Sequence, residues 1–410
     1  TRSLVDLWNE GAYRYATGDT EIICLGWAFD DDEPKLWVPG KPFPNEILEH
    51  WIQAEPRSTH AHNAQFERLI TKYVLWPAEE IKFDFPDLDH WYCTAAQARA
   101  RALPGALEDL GTCLGLQVRK DKRGKELIKL LCIPTLDEGG GKSFNRDPEL
   151  LAEMYAYCMR DVEVERVAAK MTPPLTDDEF AVFVASEVVN DAGLKVDVEF
   201  AAAAGNYADL EIAEISAELV RVSRGKITSP QQYQRLKDYM VPLAADDDGV
   251  RKAMTVVKTD RRTGEEERKI TLDKDARRKI LQLEEETPGR IPEDIVELVG
   301  LIDDAGRSSV HKFNNMVSRA GADGRVRGAY MFSGAGQTGR FSSVGLQVHN
   351  FPRTCAEDPE EVRELVIGDY EFPDVMGTLA SMLRPSIIAD DGHAFVCGDW
   401  SSIEARVLPW

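Results

Sequence analysis

The stretch His393-Ala394-Phe395-Val396-Cys397-Gly398-Asp399 joins an apolar run to a carboxylate, and Trp400-Ser401-Ser402-Ile403-Glu404-Ala405-Arg406 follows it directly. The apolar run predicts a β-strand, and Ser401 followed three residues later by Glu404 has the spacing of a helix capping box. Such a strand would hold Asp399 at a fixed position, with hard carboxylate oxygens that suit Mg²⁺. Taken alone, the stretch favours a simpler interpretation, in which an aspartate ends a strand and caps a helix.

Two segments upstream reverse that preference. They are Gly334-Ala335-Gly336-Gln337-Thr338-Gly339-Arg340-Phe341-Ser342-Ser343 and Leu346-Gln347-Val348-His349-Asn350-Phe351-Pro352-Arg353. Together with the stretch around Asp399 they resemble family A DNA polymerases of the DNA polymerase I-like, phage type. In that family a Thr-Gly-Arg-x-Ser-Ser segment and a Gln-Asn-x-Pro-Arg-like segment precede a palm motif of the form Asp-Tyr-Ser-x-Ile-Glu-x-Arg. The chain departs from the pattern at Trp400, in place of Tyr, and at His349, in place of Gln.

The resemblance implies template-directed addition of deoxynucleotides with two Mg²⁺ ions. It implies that Asp399 binds both ions and that Glu404 excludes ribonucleotides at the sugar 2′ position. Arg340 is implied to donate to the minor-groove edge near the primer terminus, where acceptors are common to all base pairs. We expect Asp399 and Arg340 to share one groove. The other DNA contacts implied are Thr338, Asn350 and Arg353, with Ser229 and Gln231 in a helical thumb.

A second group of candidate residues lies in the N-terminal part. His62-Asn63-Ala64-Gln65-Phe66-Glu67 puts an acid near a helix start, and Tyr157 and Asp161 lie four residues apart on one face of a long predicted helix. Each piece alone is more often a structural or surface feature. In this order they resemble the second and third motifs of the family A 3′-5′ proofreading exonuclease, with Glu67 in place of Asp. The resemblance implies metal binding by Glu67 and Asp161, orientation of a water by Tyr157, and a DNA contact by Asn63.

The predicted fold is an α/β exonuclease domain with a ribonuclease H-like mixed sheet and flanking helices, followed by a helical thumb and the start of an α+β palm. The chain predicts a strand over 20–29 with a hairpin partner at 36–38, and a long helix over 148–171. We place the first domain at residues 1–172, because the prolines at 173 and 174 end that helix. The thumb covers residues 173–325, with a helix predicted to start at Ser229 and an extended, solvent-facing polar insertion at about 245–275. The palm covers 326–410. The basic groups at 119–125 and 261–279 are either phosphate-binding surfaces or solvated faces.

Composition limits the class of protein. A net charge of −22 over 410 residues argues against a DNA-coating protein, but a DNA enzyme needs only a basic groove. The seven cysteines never occur as Cys-x-x-Cys, so neither a disulfide framework nor a zinc site is indicated. No apolar run approaches the roughly 18 residues of a membrane span. We therefore expect no membrane partner and a cytoplasmic location in a bacterial or phage-infected cell.

The chain is expected to be an internal fragment of the polymerase. In the family, an Asp-x-Glu exonuclease motif would precede Thr1, and a fingers helix and a later palm His-Asp would follow Trp410. Such a fragment would be inactive in polymerisation by itself. The expected partners are a DNA template-primer and deoxynucleoside triphosphates. Two alternatives stay open: a catalytically silent DNA-binding half of a split polymerase, with a second chain supplying fingers and remaining palm, or a stand-alone 3′-5′ exonuclease.

Overall fold

The computed structural model describes residues 1–116, 123–136, 140–244, 247–259, 266–305 and 308–408. The helices are α1 Leu7–Thr17, α2 Asn45–Gln53, α3 Ala64–Ile70, α4 Trp76–Ala78, α5 Thr94–Ala100, α6 Leu107–Cys113, α7 Gly124–Cys132, α8 Pro148–Met171, α9 Asp177–Ala192, α10 Val198–Val222, α11 Tyr233–Ala244, α12 Asp248–Met254, α13 Lys274–Glu286, α14 Glu293–Ala305, α15 Lys312–Arg319, α16 Pro359–Ile367, α17 Val375–Ser381 and α18 Ile403–Val407. The strands are β1 Leu25–Trp27, β2 Lys35–Trp37, β3 Thr59–Ala61, β4 Trp91–Cys93, β5 Thr135–Leu136, β6 Lys142–Ser143, β7 Leu194–Lys195, β8 Thr255–Thr259, β9 Glu266–Ile270, β10 Arg325–Val326, β11 Tyr330–Ala335 and β12 Arg340–Ser343. The predicted mixture of helices and strands is confirmed.

The chain divides into two compact units. The first comprises Thr1–Val196, Ser318–Asn350 and Ile388–Trp410, and the second comprises Asp197–Val317 and Phe351–Ile387. The boundary predicted at residue 172 lies inside the first unit. The reason is that α9 packs Phe180 against the ring of Tyr92 and Phe183 against Phe332, so this helix shares the core of the first unit.

The sheets of the first unit are short. Strands β3 and β4 run parallel, with Thr59 opposite Trp91 and Ala61 opposite Cys93. Strands β1 and β2 form an antiparallel hairpin, as predicted. Each sheet of the described residues contains two strands, so a continuous ribonuclease H-like mixed sheet stays a prediction.

Helix α8 has the predicted bounds because strong local signals set both of its ends. The Asp147 side chain accepts hydrogen bonds from the backbone N–H groups of Glu149 and Leu150, and Pro148 occupies the first turn. Thr172 and the prolines after it end the helix. The buried residues of α8 are Met154, Tyr157, Val164 and Ala168, whose spacing gives one apolar face.

The second unit is mainly helical, and its largest core cluster draws on α10 to α14. Residues 245–275 were expected to form an extended solvent-facing insertion, and this stays a prediction. The described part of that segment contains α12 and the antiparallel hairpin of β8 and β9. Val250, Met254 and Leu272 are buried in the core cluster, and these few apolar residues anchor an otherwise polar segment.

The strand expected at residues 393–398 is not formed. Residues 391–400 are exposed throughout, including 59% of Phe395 and 98% of Val396. A β-strand needs a hydrogen-bonded neighbour, and no described strand pairs with this segment. The helix expected after it is present as α18. Across the described ranges, no helix combines the length and apolar character needed to cross a bilayer.

Candidate functional site

His62 and Thr94 lie side by side because each directly follows one strand of the parallel pair β3 and β4. The carboxyl ends of parallel strands meet at one edge of a sheet, which is a common place for sites in α/β proteins. Nδ1 of His62 lies 3.0 Å from Oγ1 of Thr94. Nε2 of His62 lies 2.8 Å from the carbonyl of Gly105 and donates to it, since a carbonyl can only accept.

Glu165 joins this pair from helix α8. The Thr94 hydroxyl donates to Oε1 of Glu165 at 3.1 Å, and the backbone N–H of His62 donates to the same carboxylate. Three separate segments are therefore tied together at one carboxyl group. The sequence analysis missed Glu165, although it lies four residues after Asp161 and eight after Tyr157, on the same face of α8.

Glu67, Asp161 and Glu165 lie close enough for their charges to interact, and Glu165 lies near each of the other two. Burial, and then the charge of Asp161, raise the pKa of Glu165 to about 7. The crowding of protein around Glu67, and next the charge of Glu165, raise the pKa of Glu67. Solvent still reaches the Glu67 side chain, and Asp161 and Glu165 are half-buried. The acids thus lie close together where water reaches them, with repulsion between neighbouring charges.

Asn63 and Tyr157 have positions set by the local fold. Asn63 precedes α3 with φ 73° and ψ 50°, a left-handed conformation that asparagine tolerates better than most residues. Tyr157 is 8% exposed and packs with Leu127 and Leu131 of α7. A Cβ on Gly124 would lie 2.2 Å from the Tyr157 ring, so α7 can approach the ring this closely only through glycine.

Mg²⁺ prefers hard oxygen ligands such as carboxylates. Glu67 and Asp161 provide hard carboxylate oxygens from two helices, and the charge of Glu165 interacts with both, a repulsion that a bound cation would relieve. In the described part of the chain, however, no group of three or more His, Cys, Asp or Glu residues is placed to hold a metal ion. The residues therefore fit a metal by chemistry, while a complete ligand shell is not formed by described residues.

Thr338 and Arg340 lie at the tip of the hairpin formed by β11 and β12. The turn closes through hydrogen bonds of 3.0 and 2.9 Å from the N–H groups of Thr338 and Gly339 to the carbonyl of Ala335. Arg340 opens β12 opposite Ala335, and both Thr338 and Arg340 are exposed. The hairpin thus presents the predicted DNA-contacting side chains to solvent.

Asn190, another residue that the sequence analysis missed, holds the base of this hairpin. Its Oδ1 accepts from the N–H of Tyr330 at 3.0 Å, and its Nδ2 donates to the carbonyl of Tyr330 at 2.9 Å. The side chain is 1% exposed, and its amide makes the same two kinds of hydrogen bond to Tyr330 that the backbone of a paired strand would make. The carbonyl of Asn190 also accepts from the N–H of Gly328 at 3.2 Å. The end of α9 thereby fixes where β11 begins.

The remaining predicted residues are dispersed. Asp399 is exposed, and its carboxylate forms no ion pair with any described cation, so the structure gives no strand-built groove that joins it to Arg340. Glu404 lies in α18, but its side chain is outside what the structure describes. Asn350 ends a short 3₁₀ turn in the first unit, whereas the exposed Arg353 belongs to the second.

Ser229 and Gln231 precede α11, in the second unit. The Ser229 hydroxyl hydrogen-bonds to the Gln231 side chain, and the Gln231 N–H donates to Oγ of Ser229 at 3.3 Å. The helix expected to start at Ser229 starts at Tyr233, because these polar side chains satisfy the backbone in a turn instead.

Several basic residues of the two groups pair with acids. Arg123 contacts Glu126 and Glu153, and Lys125 lies 2.8 Å from Glu108. Among the basic residues near 277, Arg277 pairs with Asp303 at 3.0 Å. These contacts favour solvated, ion-paired helix faces over phosphate-binding surfaces. The positions predicted at 119, 120, 122, 261 and 262 lie outside the described residues.

Comparison with known proteins gives one informative similarity. The chain is 30% identical, over 432 aligned positions, to a protein named DNA polymerase from Bacillus phage SP02. The aligned region covers all of this chain and 60% of the phage protein, so the chain spans about three fifths of that relative. No family model matches the chain. The resemblance to a phage-type DNA polymerase, drawn from residues 334–353 and 393–406, is confirmed by this similarity.

Proposed function

We propose that the protein carrying this chain is a template-directed DNA polymerase of family A with a 3′-5′ exonuclease domain within residues 1–172. The observation that supports it most is the similarity of the whole chain to a phage DNA polymerase. The substrates of the proposed enzyme are a DNA template-primer and deoxynucleoside triphosphates, and Mg²⁺ is the metal that its carboxylates suit.

The nuclease part of the proposal rests on the neighbouring carboxyl groups of Glu67, Asp161 and Glu165. Glu67 and Asp161 would hold the metal, which when bound supplies an activated water and neutralises the phosphate charge. Thr94 and the backbone of His62 fix Glu165 beside them, through the 3.1 Å hydrogen bond and the N–H contact.

Two further side chains complete the proposed nuclease site. Tyr157 is held by the close approach of α7 at Gly124, so its ring has little freedom to turn. Asn63, exposed before α3, is available to a DNA strand that approaches these carboxyl groups. The ribonuclease H-like architecture belongs to this part of the proposal.

The polymerase part of the proposal rests on the hairpin tip and on Asp399. Arg340 and Thr338 are exposed on a turn whose base is fixed, which suits a contact to duplex DNA. Asp399 is a single exposed carboxylate, so its role as a metal ligand comes from the resemblance and no step is derived from its geometry. Glu404, Asn350, Arg353, Ser229 and Gln231 keep the roles that the resemblance implies.

The test separates the two activities by substitution in the protein that carries this chain. Asp399→Ala should abolish primer extension and spare degradation of single-stranded DNA. Asp161→Ala should abolish degradation and spare extension. Asp391→Ala and Glu149→Ala are matched controls, since both replace an exposed acid, in the Asp399 segment and on α8. Both controls should retain both activities.

Two results would count against the proposal. Unchanged extension by the Asp399 variant would remove that residue from its role, and unchanged degradation by the Asp161 variant would do the same for the nuclease. A protein that binds primer-template tightly but extends it in no condition would favour a DNA-holding function instead. Circular dichroism of each variant shows whether a loss of activity reflects a loss of fold.

A further inference from the structure

The thiols of Cys24 and Cys158 meet where helix α8 packs on strand β1. Cys24 directly precedes β1, and Cys158 lies on α8, 134 residues later in the sequence. The Cys24 thiol lies within hydrogen-bonding range of the Cys158 sulfur. Both thiols are free in the structure, and both residues are half-buried rather than sealed in the core.

Gly26 explains why the two backbones come so close. A Cβ on Gly26 would lie 3.0 Å from Sγ of Cys158 and 3.5 Å from the carbonyl oxygen of Cys158. Alternate residues of a strand face the same side, so Cys24 and Gly26 both point towards α8. A disulfide requires two Cα atoms about 4.4 to 6.8 Å apart, and this close packing of strand on helix favours such a separation.

The two sulfurs are chemically different. The Cys24 thiol and the N–H of Gly26 both donate towards Cys158. The contact with the Cys24 thiol is the largest of the causes that lower the pKa of the Cys158 thiol. The same contact, followed by burial, raises the pKa of Cys24. Because the thiolate is the attacking form, Cys158 is the nucleophile and Cys24 is the second thiol.

We propose that Cys24 and Cys158 form a reversible disulfide when the protein meets a low-molecular-weight disulfide such as oxidised glutathione. The Cys158 thiolate attacks the small disulfide, which forms a mixed disulfide and releases one small thiol. Cys24 then gives up its proton and attacks the Cys158 sulfur, which forms the protein disulfide and releases the second small thiol. Two protein thiols are oxidised to one disulfide, and one small disulfide is reduced to two thiols.

The covalent bond would join β1 to α8 three residues before Asp161. Helix α8 also carries Tyr157 and Glu165, so the modification would constrain the face of α8 that bears the proposed nuclease residues. The formation of the bond rests only on the packing of β1 and α8, not on the proposed function. Its chemistry can therefore be tested without any assay of DNA synthesis or degradation.

The experiment uses the full chain, reduced and then incubated with oxidised glutathione. Peptide mass mapping should show Cys24 linked to Cys158, with the intact mass lower by two hydrogen atoms, and dithiothreitol should restore both thiols. Cys24→Ser should trap a stable glutathione adduct on Cys158. Cys158→Ser should leave Cys24 unmodified. Cys355→Ser, which removes an exposed thiol elsewhere, should still form the linkage.

Three results would overturn the proposal. They are a folded protein whose Cys24 and Cys158 stay reduced while exposed thiols react, a linkage to Cys132 instead, and a stable adduct on Cys158 that Cys24 never displaces in the unsubstituted chain. If a serine variant fails to fold, the unsubstituted chain still tests the proposal through its unfolding temperature. The oxidised form should unfold at a higher temperature than the reduced form. An unchanged unfolding temperature in a chain shown to carry the linkage would contradict the close native approach of the two elements.

Discussion

Arg68 binds both carboxylate oxygens of Asp191, with Nη1 at 2.8 Å from Oδ2 and Nη2 at 2.7 Å from Oδ1. Nη2 also lies 3.2 Å from Oε2 of Glu187, and the Tyr13 hydroxyl hydrogen-bonds to Asp191. Arg68 is 2% exposed. The network therefore connects α1, α3 and α9 inside the first unit, and it fixes the helix on which Glu67 lies.

Replacing Arg68 with methionine should destabilise the protein strongly. The side chain volume is nearly kept, but Asp191 and Glu187 lose their buried cation, and such losses cost about 3–5 kcal/mol. Urea unfolding measures the change in the free energy of unfolding. Arg278→Met is the control. Arg278 is exposed and forms a long ion pair of 3.9 Å with Asp275, and such an exposed pair contributes about 0–1 kcal/mol to the free energy of unfolding. Equal effects of the two substitutions would contradict the network.

Thr94→Val should lower the free energy of unfolding by about 1–3 kcal/mol. Valine has the same shape as threonine, but the hydroxyl that links Nδ1 of His62 to Oε1 of Glu165 is lost, which leaves half-buried polar groups without this partner. Thr94→Ser should restore most of the stability. Thr112→Val, at an exposed position on α6, should change the free energy of unfolding by less than about 0.5 kcal/mol.

Asn190→Leu should loosen the hairpin of β11 and β12. Leucine has a similar size but cannot pair with the N–H and carbonyl of Tyr330, so two backbone groups lose the partners that they have now. We expect a loss of about 1–3 kcal/mol and faster hydrogen exchange over residues 330–343. Asn206→Leu, exposed on α10, is the control. Unchanged exchange over the hairpin would show that Asn190 does not position it.

His50 and His90 should make a contribution to the stability of the first unit that is lost in mild acid. Nε2 of His50 lies 3.0 Å from Oγ1 of Thr59, which lies 2.7 Å from Nε2 of His90, and His90 is fully buried. Burial lowers the pKa of both histidines, while the weaker effects of Glu55 and Asp89 raise it. The unfolded chain therefore binds protons more readily than the folded one.

The stabilisation is complete above the unfolded histidine pKa of about 6.5 and is lost as the pH falls below it. Each histidine can contribute at most about 1.4 kcal/mol per pH unit in that window. The measurement is urea unfolding between pH 7.5 and 5. The raised pKa of Glu165 and of Glu67 changes stability in the opposite direction over the same range, so the histidine contribution is read from the difference between the unsubstituted chain and His90→Asn. That difference should shrink as the pH falls. A difference that stays constant or grows on acidification would contradict the assigned direction.

Local signals in the sequence were sufficient for several elements. The bounds of α8 follow from Asp147-Pro148 at one end and the double proline at the other, and the structure reproduces them. Tyr157 and Asp161 share a face of that helix for the same reason. The strand at residues 393–398 failed because strand formation depends on a neighbour, and an apolar run by itself does not supply one.

By itself, the sequence determined helix ends, the β1 and β2 hairpin, and the order of motifs that resembles a phage-type DNA polymerase. These depend on residues within a few positions of one another. Only the tertiary structure brought Thr94 to Glu165, Arg68 to Asp191 and Cys24 to Cys158, because those contacts join residues 71 to 134 positions apart. Contacts of that separation are set by how helices pack on strands, which no local pattern specifies.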